Sequence, residues 1–130
     1  MNRILIIDED TDVLRLLRIK LSAAGYTVSR ARDGQEALAL TGREQPDIVV
    51  MELLLPDIDG FDLIAQLRST VSPPLIVVLS GRFTDEAISA ALAAGAADYV
   101  SKPFSPQGLL ERLRVNLIRA GLAVTNGREA

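Results

Sequence analysis

Ile4-Leu5-Ile6-Ile7-Asp8-Glu9-Asp10 is a continuous apolar run closed by three carboxylates, and directly after it the hydrophobic period changes. Val13, Leu14, Leu17 and Leu21 fall at i, i+1, i+4 and i+8, the spacing of one helical face. A run without alternation suits a strand covered on both sides, and the helix behind it suits the crossover that a parallel neighbour requires.

The same unit recurs along the chain. Short apolar runs at 4–7, 26–28, 48–51, 75–79 and 98–100 follow one another at roughly twenty to twenty-seven residues, each succeeded by helical periodicity. The spacing predicts helices over 11–24, 34–44, 60–69, 84–94 and 106–119, the last with Leu109, Leu110, Leu113 and Leu117 on one face. Punctuation agrees with those bounds. Asp10 and Asp12 read as caps of the first helix, and Asp33 with Glu36 as a capping-box variant. Ser105-Pro106 is an N-cap with proline at N1, and Gly25 and Gly95 are stops. Tyr26-Thr27-Val28-Ser29-Arg30 alternates in polarity, as a strand nearer an edge would. A closed eight-unit barrel takes about 250 residues, so the expected fold is α/β, a doubly wound five-stranded parallel sheet. One domain over 1–121 is expected, with 122–130 as a tail or the start of a linker.

Composition narrows the function. The 130 residues include neither Cys nor His, which excludes thiolate and imidazole nucleophiles, bases and metal ligands. Fourteen Lys and Arg against seventeen Asp and Glu give a net charge of -3, without the basic excess that direct nucleic-acid binding needs. Apolar runs of about five residues are far short of a membrane span, and no secretory leader pattern is visible at Met1-Asn2-Arg3, so the expected address is cytoplasmic, away from the membrane.

In an open parallel sheet, ligands bind outside the carboxyl ends of the strands. The residues there are Asp8-Glu9-Asp10 after the first strand, Glu52 after the third, Ser80-Gly81 after the fourth and Ser101-Lys102-Pro103 after the fifth. Taken singly, Ser80 reads as a loop hydroxyl and Lys102 as a solvated lysine. Their coincidence at four strand ends is what carries weight. Crowded carboxylates shift their own titration or recruit a cation, and an all-oxygen set suits Mg²⁺. A lysine and a hydroxyl beside it suit a site that holds a phosphoryl group by electrostatics.

Four stretches in order resemble the receiver domain of two-component response regulators, over about residues 2 to 120. They are the opening stretch through Asp10, the run from Pro46-Asp47 through Glu52 to Ile58-Asp59-Gly60, then Val78-Leu79-Ser80-Gly81, and Gly95-Ala96-Ala97-Asp98-Tyr99-Val100-Ser101-Lys102-Pro103-Phe104. The resemblance implies a flavodoxin-like sheet of order 2-1-3-4-5. It implies a metal site of Asp8, Glu9, Glu52 and the backbone carbonyl of Leu54, with Mg²⁺ as cofactor. It further implies Ser80 and Lys102 as phosphoryl contacts, Ser80 and Tyr99 as switch residues, and a cis bond at Lys102-Pro103. The implied partners are a sensor histidine kinase or another signalling protein, and a homodimer through the fourth helix, fifth strand and fifth helix. No enzymatic turnover is implied.

One departure outweighs the matches: Glu52 stands where the family places its phosphoacceptor aspartate. One extra methylene moves the carboxylate, and in-line phosphoryl transfer depends on geometry at that scale. A phosphate-independent receiver is therefore expected, its longer side chain either reaching toward Ser80 or Lys102 in partial imitation of a phosphorylated aspartate or simply filling the metal pocket. Glu9 also lengthens a ligand, which weakens the expected Mg²⁺ site. A natural glutamate and an engineered aspartate replacement that mimics activation both fit the sequence.

Two other functions share the pattern. A haloacid-dehalogenase-type phosphatase uses Asp-x-Asp, as in Asp8-Glu9-Asp10, but also needs an acidic pair beyond the lysine, and only Glu111 and Glu129 follow Lys102. A flavodoxin-like FMN binder needs a Ser/Thr/Gly-rich phosphate loop, which the acids of 8–12 would oppose. Arg112, Arg114 and Arg119 are expected on the solvated face of the last helix.

Overall fold

The computed structural model describes residues 2–122. Five strands and five helices alternate: β1 (Arg3–Ile7), α1 (Thr11–Ala23), β2 (Thr27–Ala31), α2 (Gly34–Glu44), β3 (Ile48–Met51), α3 (Gly60–Arg68), β4 (Leu75–Ser80), α4 (Asp85–Ala94), β5 (Asp98–Ser101) and α5 (Pro106–Arg119). The sheet is parallel throughout, in the order β2-β1-β3-β4-β5, the expected flavodoxin-like arrangement. The tail expected over 122–130 lies outside the described residues from 123 on.

Strand alternation sorts the core into two layers. Leu5, Ile7, Val49, Met51, Ile76 and Val78 point to the α2, α3 and α4 side, where Ala37, Leu63, Leu67 and Ala91 meet them. Ile4, Ile6, Ile48, Val50, Val77 and Leu79 point the other way, onto Leu14, Leu17 and Leu21 of α1 and Leu109, Leu113 and Leu117 of α5. Fully burying each of the Leu, Ile, Val and Met side chains stabilises the fold by about 1.5–3 kcal/mol. Both faces of the central strands are therefore apolar, which is why their sequences do not alternate.

Helix ends follow the local chemistry, with three adjustments. Asp10 alone caps α1, accepting from the N–H groups of Asp12 and Val13, while Asp12 lies within the first turn, where its charge suits the dipole. Asp33 caps α2, but Glu36 reaches back to the N–H of Arg32 instead of completing a box with Asp33. α2 ends on Gln45 in a left-handed conformation at φ 49°, a stop without glycine. The second strand runs to Ala31 instead of ending at Val28, because β1 pairs with it from Arg3↔Thr27 to Ile7↔Ala31. Tyr26 lies before it as a buried side chain in the α1-side core.

On α5, two of the arginines expected in solvent are engaged. Arg114 pairs with Glu111 at 3.2 Å, and Arg112 makes a two-toothed bond to Asp98 of β5 at 2.7 and 2.8 Å. The amide of Asn116, buried on α5, also donates to Asp98. Burial pushes the Asp98 carboxyl up, but the bonds from Arg112, Asn116 and the Tyr99 N–H outweigh it and hold the carboxyl below its ordinary value. A carboxyl depressed in the folded state stabilises it above the unfolded pKa of about 3.9, and that contribution is lost as the pH falls through the folded value. The stability lead of the protein over Asp98→Asn is therefore expected to be full at neutral pH and to shrink below about pH 4. Urea midpoints across that range check it, and a constant difference would refute it.

Candidate functional site

The sheet ladder runs one residue past β1, β3 and β5, and β4 ends on Ser80 itself, which fixes the backbone from which the polar side chains project. Asp8 N–H donates to Ala31 O at 3.1 Å, Glu52 N–H to Ile7 O at 2.9 Å and Lys102 N–H to Ser80 O at 2.9 Å. Asp8, Glu52, Ser80 and Lys102 thereby converge at the carboxyl end of β1, β3, β4 and β5.

Lys102 lies between the two acids, its Nζ 2.7 Å from Asp8 Oδ2 and 3.0 Å from Glu52 Oε1. The other Glu52 oxygen, Oε2, accepts from Ser80 Oγ at 2.5 Å and from the N–H groups of Leu53 at 2.7 Å and Leu54 at 3.2 Å. Asp8 Oδ1 accepts the Asp10 N–H at 2.9 Å. Asp8 is 4% and Glu52 8% exposed, so these are interior charges, and each is satisfied. Burial pushes the Glu52 carboxyl up, but the bonds from Ser80, Lys102 and Leu54 outweigh it and hold it below the usual range. Burial pushes the Lys102 ammonium down, and its bonds to Asp8 and Glu52 more than reverse that. Both results favour the ionised forms.

A hydrogen-bonded path leads away from Glu52. Ser80 Oγ accepts the Arg82 N–H at 3.1 Å, and the Tyr99 hydroxyl, on a side chain only 8% exposed, donates to the Arg82 carbonyl. Tyr99 is thus turned inward and tied to the same β4–α4 segment that holds the carboxylate. The Arg82 guanidinium lies over the Phe61 ring, 5.6 Å from its centroid. Sequence reasoning missed Arg82 because its link to the site is made by backbone atoms, which residue identity does not reveal. It also missed Asp57, whose carboxylate leaves the β3–α3 loop to accept from the Gly34 and Gln35 N–H groups at 2.8 and 2.9 Å. Lys102-Pro103 is cis.

The other residues implied as metal ligands stand differently. Glu9 is exposed, and Leu54 lies at the surface, bridged to Asp59 across the β3–α3 loop. Among the described residues, no three acidic side chains converge as a metal cage. The donors present do not fit a divalent ion as they stand, since the ammonium already lies between the two carboxylates and three donors surround Glu52 Oε2.

The sheet is thus a five-stranded doubly wound one with two acids, a lysine and a hydroxyl at its strand ends. The chain belongs to the response regulator receiver domain family, which it matches over residues 4–114. Receiver domains of response regulators serve two-component signalling, and as a class they bind Mg²⁺ at their phosphorylation site. The chain is 44% identical over 117 residues to response regulator MprA of Mycolicibacterium vanbaalenii, covering 90% of this chain and 51% of that protein. It is 39% identical over 124 residues to the probable transcriptional regulator ycf27 of Porphyridium aerugineum, covering 95% and 51%. It thus spans about half the length of these curated relatives. Among solved structures, a two-component response regulator from Clostridium difficile superposes with TM-score 0.88 at 30% identity, covering 92% of this chain and 98% of that one. A response regulator from Chloroflexus aurantiacus superposes with TM-score 0.85 at 38% identity, covering 91% and 98%. No helix among the described residues is long and apolar enough to cross a membrane.

Proposed function

We propose that this receiver signals without phosphoryl transfer, its Glu52 carboxylate standing in for the charge that a phosphorylated aspartate would carry. The observation that carries this reading is the saturation of Glu52. A phosphoryl group on an acidic side chain needs donors for its oxygens. The donors in reach are Ser80 Oγ, the Leu53 and Leu54 N–H groups and Lys102 Nζ, and all four are already bonded to the carboxylate itself. An attacking oxygen would have to leave these bonds and approach in line from a longer side chain, which removes the alignment that transfer depends on.

Ser80 and Tyr99 then act as the relay. Glu52 holds Ser80, Ser80 holds the Arg82 N–H, and the Arg82 carbonyl holds Tyr99 inward on β5. Output passes to a protein partner, a sensor kinase or another signalling protein, through α4, β5 and α5. That surface exposes Leu92 on α4 and Val115 and Ile118 on α5, and a second copy of the chain is a candidate occupant of it. The cytoplasm suits such a role.

Intact mass after incubation with Mg²⁺ and a small phosphodonor tests the reading, with Glu52→Asp measured beside the protein. The expected result is no adduct on the protein and a gain of about 80 Da on the variant. An adduct located at Glu52 would overturn the proposal. Silence from both would remove phosphoryl chemistry from this site and leave Glu52 as a fixed structural charge.

A further inference from the structure

The two interior carboxylates need a cation, and the chain supplies one. We infer that the Lys102 ammonium is the built-in counter-ion of the Asp8–Glu52 pair and that it excludes divalent cations from the site at millimolar concentration.

Four observations converge on this. Lys102 Nζ lies within hydrogen-bond distance of both acids, 2.7 Å from Asp8 and 3.0 Å from Glu52, in the space a bridging ion would use. Its backbone N–H is fixed to Ser80 O in the sheet ladder, so the side chain starts from a rigid point and its local concentration is high. The other two carboxylate oxygens also accept, Glu52 Oε2 from three donors and Asp8 Oδ1 from the Asp10 N–H. Glu9, the third acid of the implied set, is exposed.

Mg²⁺ demands near-octahedral oxygen ligands at about 2.0–2.1 Å and gives up water reluctantly. To bind here it would have to displace Lys102 from both acids, or lie beside a positive charge in a poorly solvated place, where repulsion is strong. An ammonium needs no such coordination shell and already neutralises one of the two charges. The extra methylene of Glu52 is required as well, because it lets Oε2 fold back onto the N–H groups of Leu53 and Leu54, and Glu52→Asp, which lacks it, is expected to admit the ion.

This inference rests on the same carboxylate placement as the functional reading but not on phosphate independence. An experiment with metal alone, without phosphodonor, therefore tells the two apart. The probe is Mn²⁺, whose paramagnetism broadens amide NMR signals near a bound ion, with Mg²⁺ added as competitor. For the protein, the Asp8, Asp10, Glu52 and Leu54 amides are expected to show no saturable, Mg²⁺-reversible broadening at millimolar Mn²⁺. For Lys102→Met, saturable, Mg²⁺-reversible broadening at these amides is expected, with a midpoint at about 0.1 mM or below, at least tenfold under the millimolar range that leaves the parent unaffected. If the Met side chain does not leave a folded spectrum, Lys102→Gln keeps an amide donor and serves in its place. Saturable broadening in the unmodified protein would overturn the inference. So would its absence from every variant, because something other than Lys102 would then be excluding the ion.

Discussion

Gly60→Ala is expected to destabilise the protein by about 2–3 kcal/mol, close to the upper end for an inserted methyl group. A Cβ at Gly60 would lie 2.5 Å from Leu53 O, 2.6 Å from Leu53 Cα and 2.9 Å from Leu53 C. These are backbone atoms, so no rotamer change relieves the clash. Neither side can retreat easily. Gly60 opens α3 directly behind the Asp59 cap, and Leu53 is 3% exposed with its N–H committed to Glu52 Oε2. The fold therefore requires glycine here for close approach between loop and helix. Thermal unfolding should show a drop of about 10 °C, scaled for a domain of this size. A variant within about 0.5 kcal/mol of the parent would show that the loop moves aside. The same strain would displace the N–H groups that hold Glu52, so the Ser80 and Tyr99 amide signals should shift with it.

Lys102→Met is expected to cost about 3 kcal/mol. The change keeps much of the side chain's apolar volume and removes its charge, leaving Asp8 and Glu52 buried together with a net charge of two. Removing one partner of a buried ion pair costs roughly 3–5 kcal/mol, and the lower end applies because the Lys102 side chain is 22% exposed. Adding Glu52→Gln should recover part of the loss, since one of the two uncompensated charges disappears while Ser80 keeps an acceptor. Urea unfolding of the single and double variants measures both effects. A single variant as stable as the parent would mean that the carboxylates find water or each other's protons at no cost, contrary to the geometry of the site.

Much of the fold was legible because it depends on short-range pattern. Short apolar runs, continuous in β1, β3 and β4, together with helical spacing located all five strands and helices within a few residues. The main slip, β2 ending early, arose where an edge strand mixes Ser29 and Arg30 into its pattern and only pairing with β1 shows that it continues to Ala31. The capping assignments show the same division. Asp10 follows from local preference, whereas Gln45 as a left-handed stop and Asp57 as a donor-satisfying group for α2 depend on contacts that one segment cannot specify alone.

For the site, the residues that end each strand were enough to say which side chains gather. In a parallel sheet every strand ends on the same edge, so Asp8, Glu52, Ser80 and Lys102 had to meet once five βα units were recognised. The sequence also put a glutamate, Glu52, directly behind the third strand. Where each charge points depends on contacts between distant segments: Lys102 inward between two acids, Glu9 out to solvent, and Glu52 folded back to Leu53, Leu54 and Ser80. The reason is physical. Backbone direction is set locally by hydrogen-bond geometry and hydrophobic period, whereas the torsions of a buried charged side chain are set by partners that lie 28 and 50 residues away in the chain.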